Sequence, residues 1–156
     1  MPKNCEVFLR IVRRRSRALE TRWQLVQFSL AKRYSMLVLA PGMDLLLAAK
    51  RAGANGHAIG VDMTESMVER ARSAARAAGL RQVEVRRGDA TALPVTDCSI
   101  DVVSSNGVLN LVPEKDRAFA EIVRVLKSGG RLHLADIVLD VELPEDALRN
   151  IDLWTG

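Results

Sequence analysis

The sequence predicts an α/β protein built on a parallel sheet with flanking helices. Three observations carry this. Short apolar runs of strand length recur between residues 36 and 139. Longer segments with helical spacing separate them. The runs are mostly continuous rather than alternating, as expected for strands covered on both faces. Strands alternating with helices imply right-handed crossovers and one parallel sheet.

The first strand is "MLVLA" (36–40). "MDLLLAAKRAG" follows as a helix that Gly53 ends. "GHAIGVDM" (56–63) is the second strand. "TESMVERARSAARAAG" (64–79) is a helix with clear punctuation: Thr64 to cap it, Glu65 and Glu69 in its first turns, Gly79 after its last. Met67, Ala71, Ala75 and Ala78 form its expected sheet-facing stripe. "VEVRRGD" (83–89) and "IDVVSSN" (100–106) are the third and fourth strands. "EKDRAFAEIVRVLKSGG" (114–130) is a helix with Ala118, Ile122 and Val125 on one face and Gly129-Gly130 at its end. "RLHLADIVL" (131–139) is the fifth strand, and another helix begins after Pro144.

Residues 1–35 stand outside this pattern, and residues 36–156 form the domain. Leu19, Trp23, Val26 and Leu30 recur at helical spacing, predicting a helix over about 16–33. The net charge of +4 is unevenly placed: residues 1–35 carry nine Lys or Arg against two Glu, the rest 14 against 17. The basic character therefore belongs to the N-terminal segment. Its run "RRRSR" (13–17) is a solvated arm or a contact for nucleic acid or anionic lipid. No aromatic residues interleave with the arginines, which argues against a stacking platform for single strands.

No apolar run approaches the roughly 18 residues of a membrane span. The Arg-rich start has no apolar core of a secretory signal. The two cysteines, Cys5 and Cys98, are neither a disulfide framework nor a metal-spaced cluster. A reducing cytoplasm is the expected location, and Cys98 reads as a small buried hydrophobe.

Ligands of open parallel sheets bind beyond the carboxyl ends of the strands. Here those ends carry Ala40-Pro41-Gly42, Asp62-Met63, Gly88-Asp89-Ala90, Ser105-Asn106-Gly107 and Asp136. Asp62 lies 20 residues after Gly42, the position of an acid that accepts from both hydroxyls of a ribose. Its other reading is a residue that helps cap the next helix. Met63 flanks an adenine or fills the core. Asp89 accepts from an adenine amino group or serves its own turn. Asn106 lines the cleft at the reactive end of the cofactor. Gly107 lets backbone approach a ligand or is a turn glycine. His57 and His133 fall at strand positions and read as structural. A second acid after the third strand favours the adenosine of S-adenosylmethionine over a dinucleotide, whose pyrophosphate needs a glycine turn at a helix N-terminus. Nothing like Gly-x-Gly-x-x-Gly is present.

The segments "AIGVDMTESMVERARSAARAAGL", "VEVRRGDATALPVTDCSIDVVSSNGVLNLVPEKDRAFAEIVRVLKSGGRLHLADIVL" and "ELPEDALRNIDLWTG" closely resemble class I S-adenosylmethionine-dependent methyltransferases. The branch is that of the arsenite methyltransferases and their type 11 relatives, and the resemblance covers roughly residues 42–156. It implies a Rossmann-like domain and methyl transfer by in-line displacement at a sulfonium, chemistry that rests on positioning. By position it implies that Gly42 belongs to the cofactor loop, that Asp62 binds ribose, and that Met63 flanks adenine. Gly88-Asp89-Ala90 then hold the adenine edge, and Asn106 lies beside the sulfonium and methionine part. The partner is a small-molecule methyl acceptor, arsenite or another.

The departures from that family are local. Its first motif, similar to Val-Leu-Asp-Leu-Gly-x-Gly-x-Gly-x-Asp, here reads "MLVLAPGMD". Val38 or Leu39 stands where an acid belongs, and only Gly42 and Asp44 survive from the loop. A ligand group left without its partner costs about 1–3 kcal/mol, so cofactor binding weakened roughly ten- to a hundredfold is expected. The cysteine of the family's "SNCVxNL" segment is Gly107 here, and As(III) coordination by thiolates is unsupported. The sheet lacks its two finishing strands, so the fifth strand is expected to leave an open edge. A truncated or partly frame-shifted coding sequence is the expectation. The alternatives are a non-catalytic remnant of such a domain and a module that contacts nucleic acid through its basic arm.

Overall fold

In the computed structural model the described residues are 8–11 and 35–136. The element order is β1 (Phe8–Ile11), β2 (Ser35–Leu39), α1 (Met43–Ala52), β3 (His57–Asp62), α2 (Glu65–Ala77), β4 (Val83–Arg87), β5 (Ile100–Asn106), α3 (Lys115–Val125) and β6 (Leu126–Ala135). A short 3-10 turn, Leu109–Leu111, leads from β5 towards α3. The expected helix over 16–33, the arginine run, residues 137–139 of the fifth expected strand and the helix after Pro144 lie outside the described residues.

The sheet has the order β1-β6-β5-β2-β3-β4 and every pairing is parallel. Successive residues of each central strand feed opposite faces. Leu37, Leu39 and Val103 point to one core with Ile122, Val125 and Leu132. Val38 and Val102 point to the other with Leu45, Ala48, Ala49 and Val68. Helix α3 therefore covers one face, and α1 and α2 cover the other. Both faces of β2 and β5 are dry, which is why their sequences are apolar without alternation.

The strand order reverses between β2 and β5. From β2 the chain moves outward to β3 and β4, then returns to the other side of β2 as β5. Parallel sheets open a crevice above the carboxyl ends of the two strands at such a point.

Four expectations are corrected by the structure. First, Phe8–Ile11 does join the sheet: it pairs with Arg131–Leu134 and covers the edge of β6 that was expected to be open. Four residues are too short a segment for periodicity to reveal. Second, the last long helix ends at Val125, not at Gly129-Gly130. The amides of Cys98 and Ser99 donate to the carbonyls of Arg124 and Val125 at 2.9 Å each, satisfying two groups that a helix end leaves unpaired. Leu126 then turns extended, is fully buried and pairs with Ile100. Gly129, at φ 75°, lies in a bulge of β6 instead. Third, the buried stripe of α2 is Val68, Ala71 and Ala75; Met67 and Ala78 are exposed. Fourth, Cys98 is exposed, in a loop at the amino end of β5.

Candidate functional site at the carboxyl edge of the sheet

The cofactor-site candidates Gly42, Asp62, Met63, Gly88, Asp89, Ala90 and Asn106 all fall along the carboxyl edge of four neighbouring strands. Asp62 ends β3. Its Oδ1 accepts a hydrogen bond from the Thr64 amide at 2.8 Å. Thr64 itself makes no side-chain cap, so Asp62, not Thr64, closes the start of α2. The capping role of Asp62 is thus real and engages one carboxylate oxygen. Met63 is 68% exposed, so it does not fill the core. Its carbonyl accepts from Arg87 Nε at 3.3 Å, which braces this corner against the end of β4.

The amide of Gly88 donates to the carbonyl of Asp62 at 2.9 Å and continues the β3–β4 ladder past Arg87. Asp89 therefore leaves the sheet beside Asp62, on the same edge. Asp89 Oδ1 accepts from the amide of Thr91 at 2.7 Å and from its hydroxyl at 2.9 Å. The Thr91 amide, with its hydroxyl in support, holds the Asp89 carboxyl below the usual range. It is ionised at neutral pH and able to accept further hydrogen bonds. Gly88 has a packing reason to be glycine: a Cβ there would lie 2.6 Å from Pro94. Ala90 is half-buried against the core.

The corner between β2 and α1 is built differently. Ala40 adopts φ 51°, its amide donates to Val61 O at 3.0 Å, and Pro41 has no amide to offer. Pro41 is fully buried against Gly60 of β3. Gly42 precedes α1 at φ −105°, and a Cβ built on it would meet nothing within 4 Å. Its surroundings therefore leave room for a side chain. Val38 and Leu39, where the resembled family has an acid, are buried in the two cores.

Asn106 ends β5, across the crevice from that corner. Its Nδ2 donates to Asp44 Oδ2 at 3.0 Å. Gly107 follows at φ 66°, a left-handed conformation that favours glycine. The amide of Gly107 donates to Ala135 O at 2.8 Å, and Asp136 accepts from the Asn110 amide at 2.9 Å. These contacts tie the end of β5 to the end of β6. Among the described residues, Ser105 Oγ and Asn110 Oδ1 are buried here without a hydrogen-bond partner. Sequence reasoning gave Asp44, Ser105 and Asn110 no role. "SSNGVLNL" contains two of them, but nothing in it distinguishes a buried hydroxyl from an exposed one.

The donors differ between the two ends of this edge. Two acids on adjacent strand ends suit the hydroxyls and amino group of adenosine. The β2–α1 corner offers few amides. Cys98 sits at the opposite end of β5 from this edge. Among the described residues no group of three or more His, Cys, Asp or Glu could hold a metal ion. No helix among them is long and apolar enough to cross a membrane.

Known proteins resemble this chain in sequence and fold. The family described as "Methyltransferase domain" matches residues 40–154. An arsenite methyltransferase of Halobacterium salinarum is 44% identical over 115 residues, which cover 74% of this chain and 29% of the relative. A demethylmenaquinone methyltransferase of Lactobacillus johnsonii is 37% identical over 95 residues, 60% of this chain and 39% of the relative. The crystal structure of an arsenic(III) S-adenosylmethionine methyltransferase from Chlamydomonas reinhardtii superposes with a TM-score of 0.66 at 35% identity. That likeness covers 73% of this chain and 42% of the algal one. The chain thus spans less than half the length of each of these proteins. Its Rossmann-like sheet, the match across the whole carboxyl edge and these likenesses lead to one conclusion: the chain belongs to the methyltransferase-domain family, in its S-adenosylmethionine-dependent class.

Proposed function

We propose that this chain binds S-adenosylmethionine and serves methyl transfer to a small-molecule acceptor, with affinity lowered by its β2–α1 corner. The observation that carries the reading is the pair of carboxylates on adjacent strand ends. Asp62 and Asp89 leave β3 and β4 side by side, joined through the Gly88-to-Asp62 backbone bond. Each keeps acceptor capacity beyond its own turn, since a carboxylate has about four lone-pair sites. Asp62 takes the ribose hydroxyls; Asp89, with Gly88 and Ala90 setting its backbone, takes the adenine edge. Met63, exposed beside Asp62, supplies an apolar flank. Gly42 borders the loop, and Asn106 faces the end of the crevice where the chemistry occurs. The cofactor itself supplies an electrophilic methyl group on a sulfonium.

Arsenite is one candidate acceptor. The relatives include enzymes named for different acceptors, and Gly107 stands where the resembled branch has a thiolate. The packing of Pro41 also favours a second reading, a domain that keeps the fold and has lost cofactor affinity. Titration calorimetry with S-adenosylhomocysteine separates the two. Saturable binding that Asp62→Ala removes supports the first. Absence of any binding at millimolar ligand supports the second. Tight binding unchanged by Asp62→Ala would refute the ribose assignment.

A further inference from the structure

We propose that Asp44 is the anion that receives the ammonium end of the ligand, in place of an acid within β2; this rests on the S-adenosylmethionine reading above. Asp44 lies in the first turn of α1, half-buried, above the point where the strand order reverses. The Asn106 amide holds one of its oxygens at 3.0 Å from a position 62 residues away. That bond spans the crevice between β2 and β5 and fixes where the carboxylate stands. Asp44 pairs with no Lys, Arg or His among the described residues. The other carboxylates with strong partners are answered: Glu121 by Arg124, Asp101 by Lys127, Glu69 by Arg72. A half-buried, positioned and uncompensated carboxylate attracts a cation more strongly than an exposed one. S-adenosylmethionine and S-adenosylhomocysteine both end in an α-ammonium. Val38 and Leu39 are buried and apolar, so β2 supplies no competing acid. Asn106 acts here as a positioning residue, orienting Asp44 and leaving one oxygen for the ligand.

Two ligands separate this idea from the reading beneath it. S-adenosylhomocysteine carries the amino-acid end; 5′-methylthioadenosine keeps the adenosine and thioether but lacks it. Calorimetry on the full chain and on Asp44→Asn is expected to show about a tenfold loss for S-adenosylhomocysteine, the scale of one charge-assisted hydrogen bond. 5′-Methylthioadenosine affinity should not change, and Asp44→Glu should recover part of the loss. Asp62→Ala should weaken both ligands alike. Equal loss of both ligands in Asp44→Asn, or no loss of either, overturns the assignment and leaves the cofactor reading standing. Should the unaltered chain bind neither ligand, the cofactor reading falls and takes this one with it. Thermal melting of Asp44→Asn checks the fold, and 5′-methylthioadenosine binding provides the same control within the titration.

Discussion

At the β3–α2 corner, Met63 and Thr64 follow the strand and are exposed, and an aspartate side chain locks the turn. At the β2–α1 corner, one strand away on the same sheet edge, Ala40, Gly42 and Met43 are exposed and Pro41 is buried. Asp62 spends one oxygen on Thr64 and keeps the rest of its carboxylate at the edge. Pro41 packs its side chain against Gly60. The two corners share one topology, strand to turn to helix, and differ in where the turn's residues are directed. A corner can contribute to the core or to a ligand, and burying Pro41 assigns this one to the core. On the reading proposed above, the adenosine half of the site rests on Asp62 and Asp89, and the amino-acid half on Asp44.

The largest effect expected from breaking this contrast comes from Gly60. A Cβ there would sit 2.6 Å from Pro41 Cβ and 2.8 Å from Leu45 Cδ2. Both neighbours are fully buried, so neither can swing aside. Gly60→Val should destabilise the chain by about 1–3 kcal/mol through overpacking, despite the better strand propensity of valine. Thermal melting should show a drop of roughly 2–4 °C for each kcal/mol. An unchanged melting point would mean that Pro41 is not anchored on β3.

A smaller effect, independent of both corners, is expected where α3 meets the loop after β4. Arg124 donates to the carbonyls of Leu93 at 2.9 Å and Val95 at 2.8 Å, and grips Glu121 at 2.6 and 2.7 Å. Glu121 also accepts from the Leu93 amide at 2.7 Å. Arg124, more than any other neighbour, holds the Glu121 carboxyl below its ordinary 4.5. A lowered carboxyl adds stability that is complete above its unfolded value and is lost as pH falls through the folded one. Acid unfolding should therefore begin below about pH 4.5, with Asp89 titrating in the same direction. Glu121→Gln should cost about 1–2 kcal/mol at neutral pH and flatten the acid limb of the stability curve. Ligand affinity should not move, which makes this variant the control for the corner variants.

Most of this fold was legible in the sequence because its central strands are buried on both faces. "MLVL", "AIGVD" and "IDVVSSN" announce themselves by composition alone. The carboxyl edge followed, since topology places strand ends together whatever their side chains do. What stayed hidden depends on contacts distant in sequence. The strand "FLRI" has meaning only against β6. The end of α3 is set by amides of Cys98 and Ser99, some 26 residues earlier. The Asn106–Asp44 bond joins positions 62 apart. Asp62 was a choice between ligand and cap, and its geometry serves the cap without excluding the ligand.

The finest test of the comparison is Ala40. Its φ of 51° is left-handed, a conformation that costs a non-glycine residue about 1–2 kcal/mol. Ala40→Gly relieves that strain but adds freedom to the unfolded chain, worth about 0.4–1 kcal/mol in the opposite sense. The net is a stabilisation below about 1 kcal/mol, a rise of a few degrees in melting temperature. Its effect on binding is the sharper readout. The Ala40 amide already donates to Val61 O, and glycine would keep that bond. If buried Pro41 is what withholds this corner from the ligand, Ala40→Gly leaves S-adenosylhomocysteine affinity unchanged while raising stability. A gain in affinity with the glycine would show instead that strain at Ala40, and not the proline ring, keeps the loop turned inward.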